Sequence, residues 1–91
     1  MNNVLLINKC NPDERHNEIL SLTVIIGEMH KQTTCDRVVA ALEKMEFIDI
    51  SKLILKYNGI VVDVNVENIP KLLLSLLNND LKIYSVYELY E

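Results

Sequence analysis

Between Ile19 and Gly27, apolar residues alternate: Leu20, Leu22, Val24 and Ile26 fall on one side of an extended chain. The embedded run Thr23-Val24-Ile25-Ile26 is almost entirely β-branched, which stiffens χ1 and favours a strand. The segment is therefore predicted to be a strand. A buried helix starting near Pro12 is the competing reading, because a short apolar run satisfies both periods.

The sharpest local signal lies further on, where Asn58-Gly59 separates two apolar runs. Asn-Gly supplies the positive φ angles of a type I′ turn, whose twist matches paired strands. A two-residue loop at these positions sets Tyr57 opposite Ile60, Leu55 opposite Val62 and Leu53 opposite Val64. All six then share one face, and the other carries Lys56, Val61, Ile54 and Asp63.

A helix is expected before this hairpin. Thr33 or Thr34 can cap it, Asp36 suits its positive end, and Val38, Leu42 and Met45 recur at helical spacing. Phe47-Ile48-Asp49-Ile50 leads from it into the hairpin. A second helix is expected after the hairpin, with Asn68 as N-cap and Pro70 in the first turn. Its apolar stripe is Ile69, Leu72, Leu73, Leu76 and Leu77, and Asn78-Asn79-Asp80 ends it. Leu81 to Tyr90 reads as a closing strand. Straight alternation there puts Ile83 and Tyr87 on one side, with Tyr84 and Val86 on the other.

Residues 19–91 thus spell β-α-β-β-α-β, and residues 1–18 an additional strand at Val4 to Asn8 and a loop. The fold class is α+β: a ferredoxin-like βαββαβ sandwich in a single domain, with an extra N-terminal strand. In that arrangement the strand at 19–27 is interior, so the leading strand needs an edge. It can use the last strand, the strand at 51–57, or an edge of a second copy, where it would act as a dimerisation arm.

Composition narrows the functional classes. Hydrophobic residues make up 49% of the 91 residues, enough for a core in a domain near the lower size limit for independent folding. Self-association is a natural remedy at this size. The net charge is −4, and the lysines and arginines are scattered singly rather than clustered, so nucleic-acid binding is not expected. The amino-terminal apolar run is too short for a membrane span and lacks a basic leader, so no membrane insertion is expected. Two cysteines do not make a disulfide framework, which fits free thiols in a cytoplasmic protein.

Four residues invite a metal site: Cys10, His16, His30 and Cys35. Their spacing argues against it. If Ile19 to Gly27 is extended it spans about 30 Å, placing Cys10 and His16 at one end and His30 and Cys35 at the other. Surface histidines and packed thiols are the plainer reading, and no metal or cofactor is expected. Cys35, near a helix start, could in principle be activated with His30 as its base. Nothing in the sequence supplies the third, orienting group, so no catalytic residue is assigned. The two glycines, Gly27 and Gly59, form no phosphate loop. Glu28 and Asp63 are the least ordinary carboxylates, and solvation or cross-strand pairing accounts for both. Tyr57, Tyr84, Tyr87 and Tyr90 could stack bases on a sheet of this kind. In place of a basic-aromatic motif, however, the sequence has Ile60-Val61-Val62-Asp63-Val64, which suits a protein-contact surface.

The string from Val66 to Val86, with its Ile69-Pro70 helix start, its Leu72-Leu73-Leu74 core and its Ile83-Tyr84-Ser85-Val86 strand, resembles a known tail. It is similar to the C-terminal accessory region of drug- and bacteriocin-type ABC transporter ATP-binding subunits, over residues 48–88 at most. The chain carries no Walker A, signature or Walker B motif, so the resemblance implies a regulatory or docking module and no ATP hydrolysis. The expected function is a non-enzymatic protein-interaction or regulatory module that forms a homo-oligomer or docks on a protein partner. Two further roles fit: an ACT-like small-ligand sensor binding at a subunit interface, and a small acidic inhibitor of another protein.

Overall fold

A computed structural model describes the backbone of residues 3–6 and 18–90 and the side chains of 18–88. The chain forms an α+β structure: β1 (Asn3–Leu6), β2 (Ile19–Ile26), α1 (Gln32–Glu43), β3 (Ile54–Lys56), β4 (Gly59–Asn65), α2 (Ile69–Asn78) and β5 (Ile83–Tyr90). Short 3₁₀ turns at Ile50–Lys52 and Val66–Asn68 precede β3 and α2. The strands form one sheet in the order β1-β5-β2-β4-β3, and every neighbouring pair is antiparallel.

The alternation in β2 decides where the core lies. Leu20, Leu22, Val24 and Ile26 are buried, as are Ile60, Val62 and Val64 on β4. Val38, Ala41 and Leu42 of α1 and Ile69, Leu72 and Leu76 of α2 close over them in a single apolar cluster. One face of the sheet therefore carries both helices. β2 is extended, as its pattern predicts, and the helix reading is excluded.

Several local expectations are corrected. Lys56 pairs with Gly59, Leu55 with Ile60 and Ile54 with Val61, so the connecting turn is Tyr57-Asn58 rather than Asn58-Gly59. Neither Asn58 nor Gly59 has a positive φ. Gly59 is needed for another reason: it pairs with Ile25, and a Cβ on it would overlap the Val24 carbonyl oxygen. Close approach to β2 draws Gly59 into the strand and pushes the turn back by one residue. Leu55 and Ile60 still share a face, as expected. Yet β3 is so short that Leu55 and Tyr57 stay exposed and Leu53 is only half-buried.

In β5, Ile25 pairs with Ser85 but Ile26 pairs with Ile83, so Tyr84 is an extra residue in a bulge. The bulge brings Ile83 to the same side as Val86, opposite Ile26 and Val24, and overturns the facing that straight alternation gives. Tyr84 is left 70% exposed, with its ring over Gly27.

The helix ends also differ from expectation. Lys31 is the N-cap residue of α1 and makes no side-chain cap bond; Thr34 turns inward and is buried. Asn68 is the N-cap residue of α2, without a side-chain cap bond, and Pro70 sits in its first turn. Leu77 is exposed, so the apolar stripe of α2 is narrower than the sequence suggests. The helix closes in a Schellman motif: Leu81 N–H donates to the Leu76 carbonyl and Asp80 N–H to that of Leu77, with Asp80 at φ 61°.

The leading strand is β1, and it lies along β5 of its own chain, with Asn3 opposite Tyr90 and Leu6 opposite Tyr87. Pairing in cis uses one of the edges expected for it, that of the last strand. β5 consequently lies between β1 and β2, and β1 and β3 form the outer edges.

Candidate functional site

The sheet face opposite the helices carries no secondary-structure element among the described residues. β2 presents Ile19, Ser21, Thr23 and Ile25 there, because its even-numbered residues fill the core. By register, β4 adds Val61, Asp63 and Asn65, β3 adds Ile54 and Lys56, and β5 adds Ser85 and Tyr87. Thr23 sits at the centre, level with Val61 on one side and Tyr87 on the other, and only 5% of it is exposed. Around it Ile25, Val61 and Tyr87 are half-buried, while Ile19 and Ile54 are largely open.

Charge on this face is sparse and lies toward its ends. The Ser21 hydroxyl donates to Asp63 Oδ1 at 2.8 Å across β2 and β4, which accounts for the carboxylate singled out in the sequence. Lys56 lies two residues beyond Ile54, toward the hairpin turn. Among the described residues, the middle of the face carries no charge.

The chemistry-bearing residues do not converge. Cys10 and His16 lie outside the described residues. Cys35 is half-buried and its thiol donates to the Met29 carbonyl at 3.1 Å, so its first-turn position serves to hold the β2–α1 loop. His30 stacks on Tyr57 with ring centroids 6.0 Å apart and planes at 28°. The two side chains thus engage different partners and form no nucleophile–base pair. Among the described residues, no group of three or more His, Cys, Asp or Glu is placed to hold a metal ion. Glu28, at φ 62° in the same loop, bonds Lys31 at 3.3 Å, and that bond with its charge holds the carboxyl below the usual range.

The tyrosines are dispersed. Tyr57 packs on His30 at the hairpin turn, Tyr84 covers Gly27 at the bulge, and Tyr87 borders Thr23; the side chain of Tyr90 lies outside the described ones. They make no continuous stacking platform. One polar device escaped the sequence reading: Asp49 Oδ1 accepts from Ser51 N–H at 3.1 Å and from its hydroxyl at 2.6 Å, which starts the turn into β3. The Asp-x-Ser spacing was the available signal. Both bonds hold the Asp49 carboxyl below the usual aspartate range.

Among the described residues no helix is long and apolar enough to cross a membrane. No family model, curated protein or solved structure matches the chain.

Proposed function

We propose that the chain is a non-enzymatic interaction module of ferredoxin-like architecture that self-associates through its helix-free sheet face. The strand order β5-β2-β4-β3 with both helices on one side supports the architecture. The observation that carries the function is the uncharged centre of the opposite face, with Thr23 flanked by Ile25, Val61 and Tyr87 and open isoleucines at Ile19 and Ile54.

Face contact is favoured over edge contact. The two edges are β1, Asn3–Leu6, and β3, Ile54–Lys56, both too short to offer more than a few ladder bonds. The face formed by β5, β2, β4 and β3 covers about 400 Å², so two copies would bury about 800 Å², the size of a small and weak interface.

The charges fit a second copy of the same chain. Lys56 is level with Gly59, two residues before Val61, and Asp63 lies two residues after it. A two-fold axis lying between the stacked faces and crossing the strands at Val61 exchanges these levels. It brings Lys56 of each copy toward Asp63 of the other on the adjacent strand, while the apolar centres meet.

A charge exchange tests the reading. Lys56→Asp sets carboxylate against carboxylate at both symmetry-related contacts and weakens the dimer about a hundredfold in sedimentation equilibrium, the scale of two lost charge pairs at about tenfold each. Adding Asp63→Lys to the same chain restores it. A monomeric wild-type chain, or a dimer indifferent to both changes, overturns the proposal.

A further inference from the structure

At the end of the sheet where β2 begins and β4 finishes, a cavity of 310 Å³ opens between the strands and the α1–β3 loop. Ile19 and Phe47 give it an apolar wall, the β4 strand borders it at Val64, whose side chain is buried in the core, and its polar lining is Asp49, Lys52, Asp63, Asn65 and Asn68. The volume is at the lower end of that of small-molecule sites.

Three of the polar side chains are held in place by bonds that use a single oxygen of each. Asp49 Oδ1 receives both bonds from Ser51, Asp63 Oδ1 the Ser21 hydroxyl, and Asn65 Oδ1 the Glu67 N–H at 3.1 Å. Those bonds leave Oδ2 of each aspartate and Nδ2 of Asn65 for another partner, already oriented. Lys52 adds an ammonium beside Asp49. The groove therefore presents negative charge, positive charge and amide donors around an apolar lining.

We infer that this groove binds a small zwitterion with a short aliphatic body, of the free α-amino acid class. The aspartates would receive the ligand ammonium, Lys52 and the Asn65 amide its carboxylate, and Ile19 and Phe47 its hydrocarbon. The groove lies within one chain but shares Ile19 and Asp63 with the face proposed to self-associate, so occupation and self-association compete.

The test is an amide NMR titration of the full chain with L-valine, N-acetyl-L-valine and isobutylamine. Valine is expected to shift Lys52, Asn65 and Asn68 saturably, with millimolar affinity. Loss of either charged group weakens binding by about tenfold, the effect of one charge-assisted bond. Lys52→Gln is expected to weaken valine but not isobutylamine. The same shifts should occur in Val61→Lys, a variant designed to be monomeric, which separates this site from the dimer. No saturable shift with valine, or equal response to all three compounds, overturns the inference.

Discussion

Gly59 lies so close to Val24 that any side chain at position 59 would collide with the Val24 carbonyl oxygen. The glycine is held there by the pairing of β4 with β2, and by the bond from Ile26 N–H to the Asn58 carbonyl at 2.9 Å. The contact is backbone on backbone, so nothing flexible can yield.

Gly59→Ala is accordingly expected to destabilise the protein by about 1–3 kcal/mol, the scale of an overpacked core position, measured by urea unfolding. Gly27→Ala provides the contrast. Its Cβ would meet Tyr84 Cε2 at 2.8 Å, but Tyr84 is an exposed side chain that can rotate away. Its cost should stay below about 1 kcal/mol. Equal costs at the two glycines would contradict the account of the hairpin register.

This pair shows where the sequence was readable and where it was not. Period-two burial in β2 follows from local pattern and the structure has it; the α2 stripe holds at Ile69, Leu72 and Leu76 but not at Leu77, and of the expected hairpin face Ile60, Val62 and Val64 are buried while Leu55 and Tyr57 are exposed. Register does not follow: Asn58-Gly59 carries a strong turn signal, but the close approach of β2, distant in sequence, requires Gly59 inside the strand. The Tyr84 bulge is hidden for the same reason, since one inserted residue leaves composition untouched while reversing the facing of Ile83. Thr34 looked like a cap because threonine caps helices, whereas packing turned it into the core. The candidate site was legible only in part. The uncharged face could be guessed from Val61 and its neighbours, but the burial of Thr23 depends on three strands meeting.

The end of α2 gives a backbone test. Asp80 occupies the left-handed region that the Schellman closure requires, with φ 61°. Asp80→Val is expected to lose about 1–2 kcal/mol, because a β-branched side chain is strained there. Asp80→Gly should lie within about 0.5 kcal/mol of the parent, as relief of strain offsets the freer unfolded chain. Thermal or urea unfolding of both variants measures the difference.

Asp49 sets a pH dependence with a defined sign. Its two bonds from Ser51 depress the carboxyl in the folded state below its unfolded value. The associated stability is present above the unfolded carboxyl range and is lost as pH falls through the folded value. Ser51→Ala removes the hydroxyl bond, so the Asp49 carboxyl should titrate at higher pH in a ¹³C carboxyl NMR titration. An unchanged midpoint would mean that the turn does not hold the carboxylate.

Val61 lies at the middle of the proposed contact, where the two faces would exclude water. Val61→Lys places an ammonium there in each copy, and its helix and strand signals by circular dichroism should match the parent because the side chain points away from the core. Its dimer should be weakened by at least about a hundredfold, as expected when charge is buried without a partner.

The central claim is most directly tested by light scattering of the unmodified chain across a concentration series. The account predicts a mass that rises from 10.5 kDa toward about twice that value as concentration passes through the micromolar range. A mass fixed at 10.5 kDa into the high micromolar range would contradict it.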